Sequence, residues 1–85
     1  MITLQIPLKT FAKINGNEKC KGQTIICDTT YSVGELDYVD IIGLCRRKDE
    51  SEITTVDQAN VIIKLNNIEE LIDAIKLYNP TDVWF

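Results

Sequence analysis

Apolar and polar residues alternate over residues 2–6 and predict a β-strand with one buried face. The residues of that face are Ile2, Leu4 and Ile6. Pro7 cannot donate to a strand ladder, so we expect it at the end of the strand or at a sheet edge. We expect residues 8–14 to continue the extended stretch.

Asn15-Gly16-Asn17 is a strong turn signal, because asparagine and glycine adopt positive φ at little cost. A second strand is predicted over residues 23–28, with Ile25, Ile26 and Cys27 as its apolar content. A turn between two such segments is typical of a β-hairpin. We therefore expect the first two strands to pair with each other.

The segment from Tyr31 to Arg47 is ambiguous. Ser32-Val33-Gly34-Glu35 has the spacing of a capping box, which favours the start of a helix. Residues 38–45, in contrast, are rich in β-branched and aromatic side chains, and Gly43 inside a helix would cost about 1 kcal/mol. We favour a strand over residues 37–46, with a helix as the alternative.

Two more strands are predicted in the second half of the chain, over residues 53–56 and 61–65. Residues 55–58 can alternatively form a single helical turn. The sequence Val61-Ile62-Ile63-Lys64-Leu65 is the clearest strand of the chain.

Residues 68–78 predict an α-helix. Asn67 is a suitable N-cap, Glu70 stands at the reciprocal position of a capping box, and Asn79-Pro80 ends the helix. Apolar residues recur at i, i+3, i+4 and i+7, which predicts one buried face. That face comprises Ile68, Leu71, Ile72 and Ile75.

These elements predict a single α+β domain over residues 1–85. An antiparallel sheet of four or five strands would be covered on one face by the C-terminal helix. The predicted core residues are Leu4, Ile6, Ile25, Cys27, Ile41, Val61, Ile63, Ile68, Leu71, Ile72 and Ile75.

The net charge of −4 is unevenly distributed along the chain. Residues 1–27 carry four lysines and one glutamate, whereas residues 28–85 carry five basic and twelve acidic residues. Direct nucleic-acid binding needs clustered positive charge, so this balance argues against it. A solubility role explains the acidic surface equally well.

The three cysteines have no paired spacing. The start of the chain does not resemble a signal peptide, and no apolar stretch approaches the length of a membrane span. We therefore expect a cytoplasmic protein with reduced thiols. Cys27 and Cys45 are expected to be buried, and Cys20, among lysines, to be exposed with a lowered thiol pKa.

Catalytic chemistry has little support in the sequence. There is no histidine, which removes the commonest general base and the usual nucleophile pairs. Glu35, Asp37 and Asp40 are the densest carboxylates near apolar residues, and a solvated surface is their simpler interpretation. We expect no enzyme activity, no cofactor and no metal.

The last residues are candidates for binding a protein partner, because Trp84 and Phe85 are large apolar side chains where chains usually fray. They must pack on the protein's own core or on a partner, and an edge strand there can also pair across a two-fold axis into a homodimer. The acidic candidates for partner contacts are Asp37, Asp40, Asp49, Glu50 and Glu52.

The hypothesis that follows is a small acidic, non-catalytic protein-binding module. A phage or mobile-element inhibitor that blocks a host nucleic-acid enzyme or defence protein would have these properties. One alternative is a homo-oligomeric nucleotide-binding protein with Tyr38, Arg46 and Arg47 as ligand contacts. Another is a subunit or regulator of a larger complex.

Overall fold

The computed structural model describes residues 2–27, 33–40, 43–49 and 53–85. Its strands are β1 (Ile2–Pro7), β2 (Thr24–Cys27), β3 (Val33–Val39), β4 (Leu44–Arg47), β5 (Ile53–Thr55), β6 (Ala59–Leu65) and β7 (Asp82–Trp84). Its helices are α1 (Leu8–Asn15), α2 (Asn17–Cys20) and α3 (Ile68–Tyr78), with one 3₁₀ turn at Val56–Gln58. The class is α+β, as the sequence predicts.

The seven strands form one curled sheet in the order β5-β4-β3-β2-β6-β1-β7, larger than the four or five strands expected. Each neighbouring pair is antiparallel. The predicted hairpin of β1 with β2 is wrong, because β6 lies between them. Ile63 of β6 pairs with Leu4, and Val61 pairs with both Ile6 and Ile25.

The chain between β1 and β2 is helical, which corrects the extended stretch expected at residues 8–14. Leu8 and Phe11 are buried and Ala12 is partly buried, which is the i, i+3, i+4 pattern of one helix face. Gly16 ends α1 with φ 91°, and its N–H donates to the carbonyl of Ala12 at 2.8 Å. The Asn-Gly signal therefore marks the end of a helix rather than a hairpin turn.

Within the ambiguous segment, the described residues include two strands, β3 and β4. The predicted strand conformation is right for residues 37–39 and 44–46, but the single strand is broken at Gly43, which has φ 88°. Asp40 closes the turn, since its carboxylate Oδ1 accepts from the N–H of Leu44 at 3.0 Å. The capping-box spacing does not start a helix, since residues 33–35 lie in β3. Ser32 and the core candidate Ile41 lie outside the described residues.

Helix α3 has the predicted bounds and the predicted N-cap. The Asn67 side chain accepts from the N–H of Glu70 at 2.9 Å, while the Glu70 carboxylate accepts from the N–H of Asn66 at 2.7 Å. The left-handed Asn79 ends the helix with φ 51°.

The core lies between one face of the sheet and the helices α1 and α3. Directly paired residues of neighbouring strands point to the same face of a sheet. The confirmed core residues are Leu4, Ile6, Ile25, Cys27, Val61 and Leu71, with Ile63 partly buried. Three predicted core residues of α3 are exposed instead, namely Ile68, Ile72 and Ile75.

The exposure of these isoleucines follows from the rotation of α3 on the sheet. Leu71, Ala74 and Tyr78 are the residues that pack against the core. At about 100° per residue, the line through Ile68, Ile72 and Ile75 lies about 90° around the helix from that face. The sheet therefore covers one flank of a wide apolar arc and leaves the other flank open.

Candidate protein-binding surface

The segment from Thr81 to Phe85, which we call the β7 segment, is fixed to the edge of the sheet. Both the backbone N–H and the hydroxyl of Thr81 donate to the carbonyl of Gln5, at 2.8 and 2.9 Å. Val83 pairs with Leu4 and packs against the core under α3. These contacts position the residues that follow.

Trp84 and Phe85 remain accessible. Trp84 pairs with Thr3, so its side chain lies on the sheet face opposite α3. It is 44% exposed and Phe85 is 85% exposed. The sequence left open whether this segment packs on the protein's own core or on a partner. Val83 packs on the core, whereas Trp84 is only partly covered and Phe85 is largely open to solvent.

The sheet face that carries Trp84 has further apolar residues. Ile26 and Ile62 are half-buried there, and Val33, which pairs with Ile26, is exposed. Thr3, Thr24 and Lys64 lie among them. Helices α1 and α3 both pack on the other face, which leaves this face open. Its surface combines apolar and polar side chains.

The exposed residues Ile68, Ile72 and Ile75 form a second accessible apolar surface, the α3 stripe, with exposed fractions of 62%, 47% and 45%. Glu69 and Lys76 are exposed and border the stripe on its solvent side. Leu77 is exposed as well, but it lies about 170° around the helix from the stripe. It therefore belongs to a different surface.

Fewer acidic candidates can be assigned to a partner-binding surface than the sequence suggests. The Asp37 carboxylate lies 4.0 Å from Nζ of Lys21, and Asp40 accepts bonds from the Leu44 N–H and the Tyr38 hydroxyl. Asp49 is exposed on the turn after β4. The other two acidic candidates, Glu50 and Glu52, lie outside the described residues.

Tyr38 and Arg46 form a cross-strand pair on the outer side of the β3–β4 hairpin. The guanidinium Cζ of Arg46 lies 5.7 Å from the centre of the Tyr38 ring. The Tyr38 hydroxyl donates to Oδ2 of Asp40 at 3.1 Å, and this bond raises the pKa of Tyr38 above its ordinary value.

Arg47 does not join this pair. Arg47 pairs with Leu36 and is buried, and its side chain passes directly over Gly34. A β-bulge between Leu36 and Tyr38 separates the two arginine positions. The three residues proposed for a nucleotide site therefore do not share one surface.

All three cysteines are buried thiols, which corrects the expectation for Cys20. Cys20 ends α2 and its thiol donates to the carbonyl of Gly16 at 3.5 Å. Burial raises the pKa of this thiol, opposite to the lowering expected from nearby lysines. The neighbouring lysines predicted an exposed thiol, but Cys20 points into the core from the end of α2.

A cleft of about 570 Å³ lies between α1 and the turn of the β3–β4 hairpin. Its charged lining consists of Lys9, Lys13, Asp40 and Asp57. Lys9 and Asp57 form an exposed ion pair at 3.4 Å. Two positive and two negative groups leave the cleft without a net charge that would select an anionic ligand.

Within the described ranges, no three histidine, cysteine or acidic residues gather as a metal site, and no helix has the length and apolar character needed to cross a bilayer.

Comparison of the chain with protein-family models, with curated proteins and with solved structures gives no match.

The α3 stripe was missed by sequence reasoning, although a signal for it exists. The apolar residues of α3 span an arc wider than the contact that one sheet face makes. Their positions are Ile68, Leu71, Ile72, Ala74, Ile75 and Tyr78. Such an arc predicts a second, exposed apolar flank beside the buried one.

Proposed function

We propose that this protein is a non-catalytic protein-binding module whose β7 segment anchors the partner. The observation that carries the proposal is the exposure of Trp84 and Phe85 on a segment that Thr81 and Val83 fix to β1. Large aromatic side chains dominate the energetics of protein interfaces. A segment already held in place loses less conformational entropy on binding than a free tail.

Side chains rather than backbone groups are the proposed means of binding. β7 is an edge strand of three residues, which is too short to offer a long ladder to a partner strand. The Val83 N–H is also engaged by Oδ1 of its neighbour Asp82 at 2.8 Å. The rings of Trp84 and Phe85 therefore supply most of the proposed contact.

The partner class we propose is a protein with a basic surface, such as a nucleic-acid enzyme that an inhibitor from a phage or mobile element would block. Support comes from the net charge of −4 and from three acidic residues near β3 and β4: Asp37 on β3, Asp40 directly after β3, and Asp49 after β4. Opposite charge across an interface speeds association and favours the correct partner. Raised salt should then slow association more than it speeds release.

The test compares three proteins in quantitative affinity capture from an extract of the cells that produce this protein. These are the unmodified protein, the double variant Trp84→Ala with Phe85→Ala, and the control Leu77→Ala, which removes an exposed apolar residue on α3. We expect one set of proteins to bind the unmodified protein and the control, and to fall at least about tenfold with the double variant. Equal capture by all three would contradict the proposal.

Nucleotide binding at Tyr38 and Arg46 is the competing proposal, and the stacking of these two side chains favours it. Natively purified protein would then carry absorbance near 260 nm. A Tyr38→Ala variant would lose that absorbance, while Trp84→Ala with Phe85→Ala would keep it. This result would replace protein binding by the β7 segment as the proposed function.

A further inference from the structure

The α3 stripe is self-complementary when a second α3 lies antiparallel to it. A two-fold axis at Ile72 brings this residue against itself and brings Ile68 against Ile75 of the second copy. The spacing of Ile68, Ile72 and Ile75 is the four-then-three spacing of a helix–helix seam. The stripe can therefore cover itself without any change in the fold.

The charges that border the stripe match in the same arrangement. The axis that pairs the isoleucines places Glu69 of one copy beside Lys76 of the other, and it does so twice. Both side chains are exposed and lie on the same side of the stripe. A parallel two-fold arrangement would carry Glu69 and Lys76 of the two copies to opposite sides of the seam, so only the antiparallel arrangement brings these opposite charges together.

We infer that α3 is the interface of a symmetric homodimer, with Ile72 on the two-fold axis and Glu69 paired with Lys76 of the second copy. This inference goes beyond the proposed function, because its partner is a second copy of the chain and its residues lie on α3 rather than on the β7 segment. It differs from the edge-strand dimer expected from the sequence, which would pair two β7 strands.

The size of the stripe sets the expected strength of the dimer. An 11-residue helix is about 16 Å long, and three isoleucines cover less than the roughly 800 Å² per partner of a standard interface. We therefore expect a weak dimer with a dissociation constant on the order of 0.1 mM.

Sedimentation equilibrium from about 5 µM to about 1 mM tests the inference with charge reversals. Glu69→Lys and Lys76→Glu each turn two attractive pairs into repulsive ones and should each weaken dimerisation about tenfold. The double variant, Glu69→Lys with Lys76→Glu, should return to within about threefold of the unmodified protein. Glu18→Lys is the matched control, because it changes the net charge as Glu69→Lys does but lies on α2.

Two further variants locate the interface. Ile72→Asp places two carboxylates on the axis and should abolish the dimer, with its helical circular dichroism retained because the position is exposed. Trp84→Ala with Phe85→Ala should leave the dimer intact, so failure of the β7 proposal and failure of this inference are distinguishable. A monomer at about 1 mM, a double reversal that does not restore association, or loss of the dimer with the β7 variant alone would each overturn the inference.

Discussion

The ring of Phe11 stacks on the ring of Tyr78, with centroids 5.8 Å apart and an interplanar angle of 20°. The Asn15 amide reinforces this contact, because its Nδ2 donates to the Tyr78 hydroxyl at 3.1 Å and to the Phe11 carbonyl at 3.2 Å. Phe11 and Asn15 belong to α1, and Tyr78 to α3. The pair joins the two helices and helps fix the rotation of α3 that leaves its stripe exposed.

A double-mutant cycle with Phe11→Leu and Tyr78→Leu should give a coupling of about 0.5–1.5 kcal/mol, the usual worth of a stacked aromatic pair beyond its buried area. Urea unfolding followed by circular dichroism measures it. Tyr38→Leu in place of Tyr78→Leu serves as control, since Tyr38 lies on the exposed side of β3, and its effect should simply add to that of Phe11→Leu. A coupling near zero for Phe11 with Tyr78 would show that the stack contributes nothing.

Leu71 and Ile72 are neighbours in sequence with opposite burial, so truncation of each reports the rotation of α3. Leu71→Ala should cost about 2–5 kcal/mol of unfolding free energy, because it opens a cavity between α3 and the sheet. Ile72→Ala should cost less than about 1 kcal/mol in the monomer. Urea unfolding at about 5 µM measures both, and equal costs would mean that α3 buries the face predicted from the sequence.

The absence of a side chain at Gly34 makes room for Arg47. A Cβ on residue 34 would lie 2.6 Å from Cδ of Arg47, so Gly34→Ala should cost about 1–3 kcal/mol by overpacking. The cost should fall when Arg47→Ala is also present. Gly43→Ala is the matched control: its cost comes from φ 88° in open space and should be the same with and without Arg47→Ala.

Cys20 should make the stability fall with rising pH in the alkaline range. Burial raises the pKa of this thiol above its ordinary value of 9.0, so between the two pKa values the folded protein holds a proton that the unfolded chain has lost. The contribution of the protonated Cys20 thiol to the free energy of unfolding is complete below pH 9. It is lost as the pH rises through the folded-state pKa. Unfolding free energies from pH 8 upward should therefore decline less steeply for Cys20→Ala than for the unmodified protein.

If Cys20 were accessible with a low pKa instead, a thiol reagent would label it rapidly in the folded state. We expect slow labelling that accelerates in denaturant, because the side chain is fully buried. Cys20→Ala should remove one labelled position without changing the rates of the others.

Tyr38 should ionise above the ordinary value of 10.0, chiefly because its hydroxyl is bonded to Asp40. The difference between absorbance titrations at 295 nm of the unmodified protein and of Tyr38→Phe isolates this group. Asp40→Ala should bring the midpoint down toward the ordinary value, whereas the control Asp57→Ala should leave it in place. A midpoint that stays unchanged in Asp40→Ala would show that the bond to Asp40 does not raise the pKa of Tyr38.

The sequence predicts those elements whose local signals agree with their final environment. Residues 68–78 carry an N-cap, a helical apolar pattern and a terminating Asn-Pro, and α3 has those bounds. The strand over residues 61–65 is predicted from its run of apolar residues, and those residues lie in β6, which is paired on both sides by β2 and β1.

The order of the strands and the rotation of α3 depend on long-range contacts that no local signal contains. Gly16 ends a helix in this fold, although the same Asn-Gly sequence is the strongest short-range signal of a hairpin. Placing β6 between β1 and β2 then requires pairings such as Ile6 with Val61 and Val61 with Ile25. The exposure of Trp84 likewise follows from its pairing with Thr3, on the face away from α3.

Photo-cross-linking from position 84 tests protein binding by the β7 segment most directly. A photoreactive phenylalanine replaces Trp84 in one protein and Leu77 in a control, and both are irradiated in an extract of the cells that produce the chain. We predict a covalent adduct with a different protein from position 84, absent from position 77, and removed by excess unmodified protein. No adduct from position 84, the same adducts from both positions, or an adduct only with a second copy of the chain would contradict the proposed function.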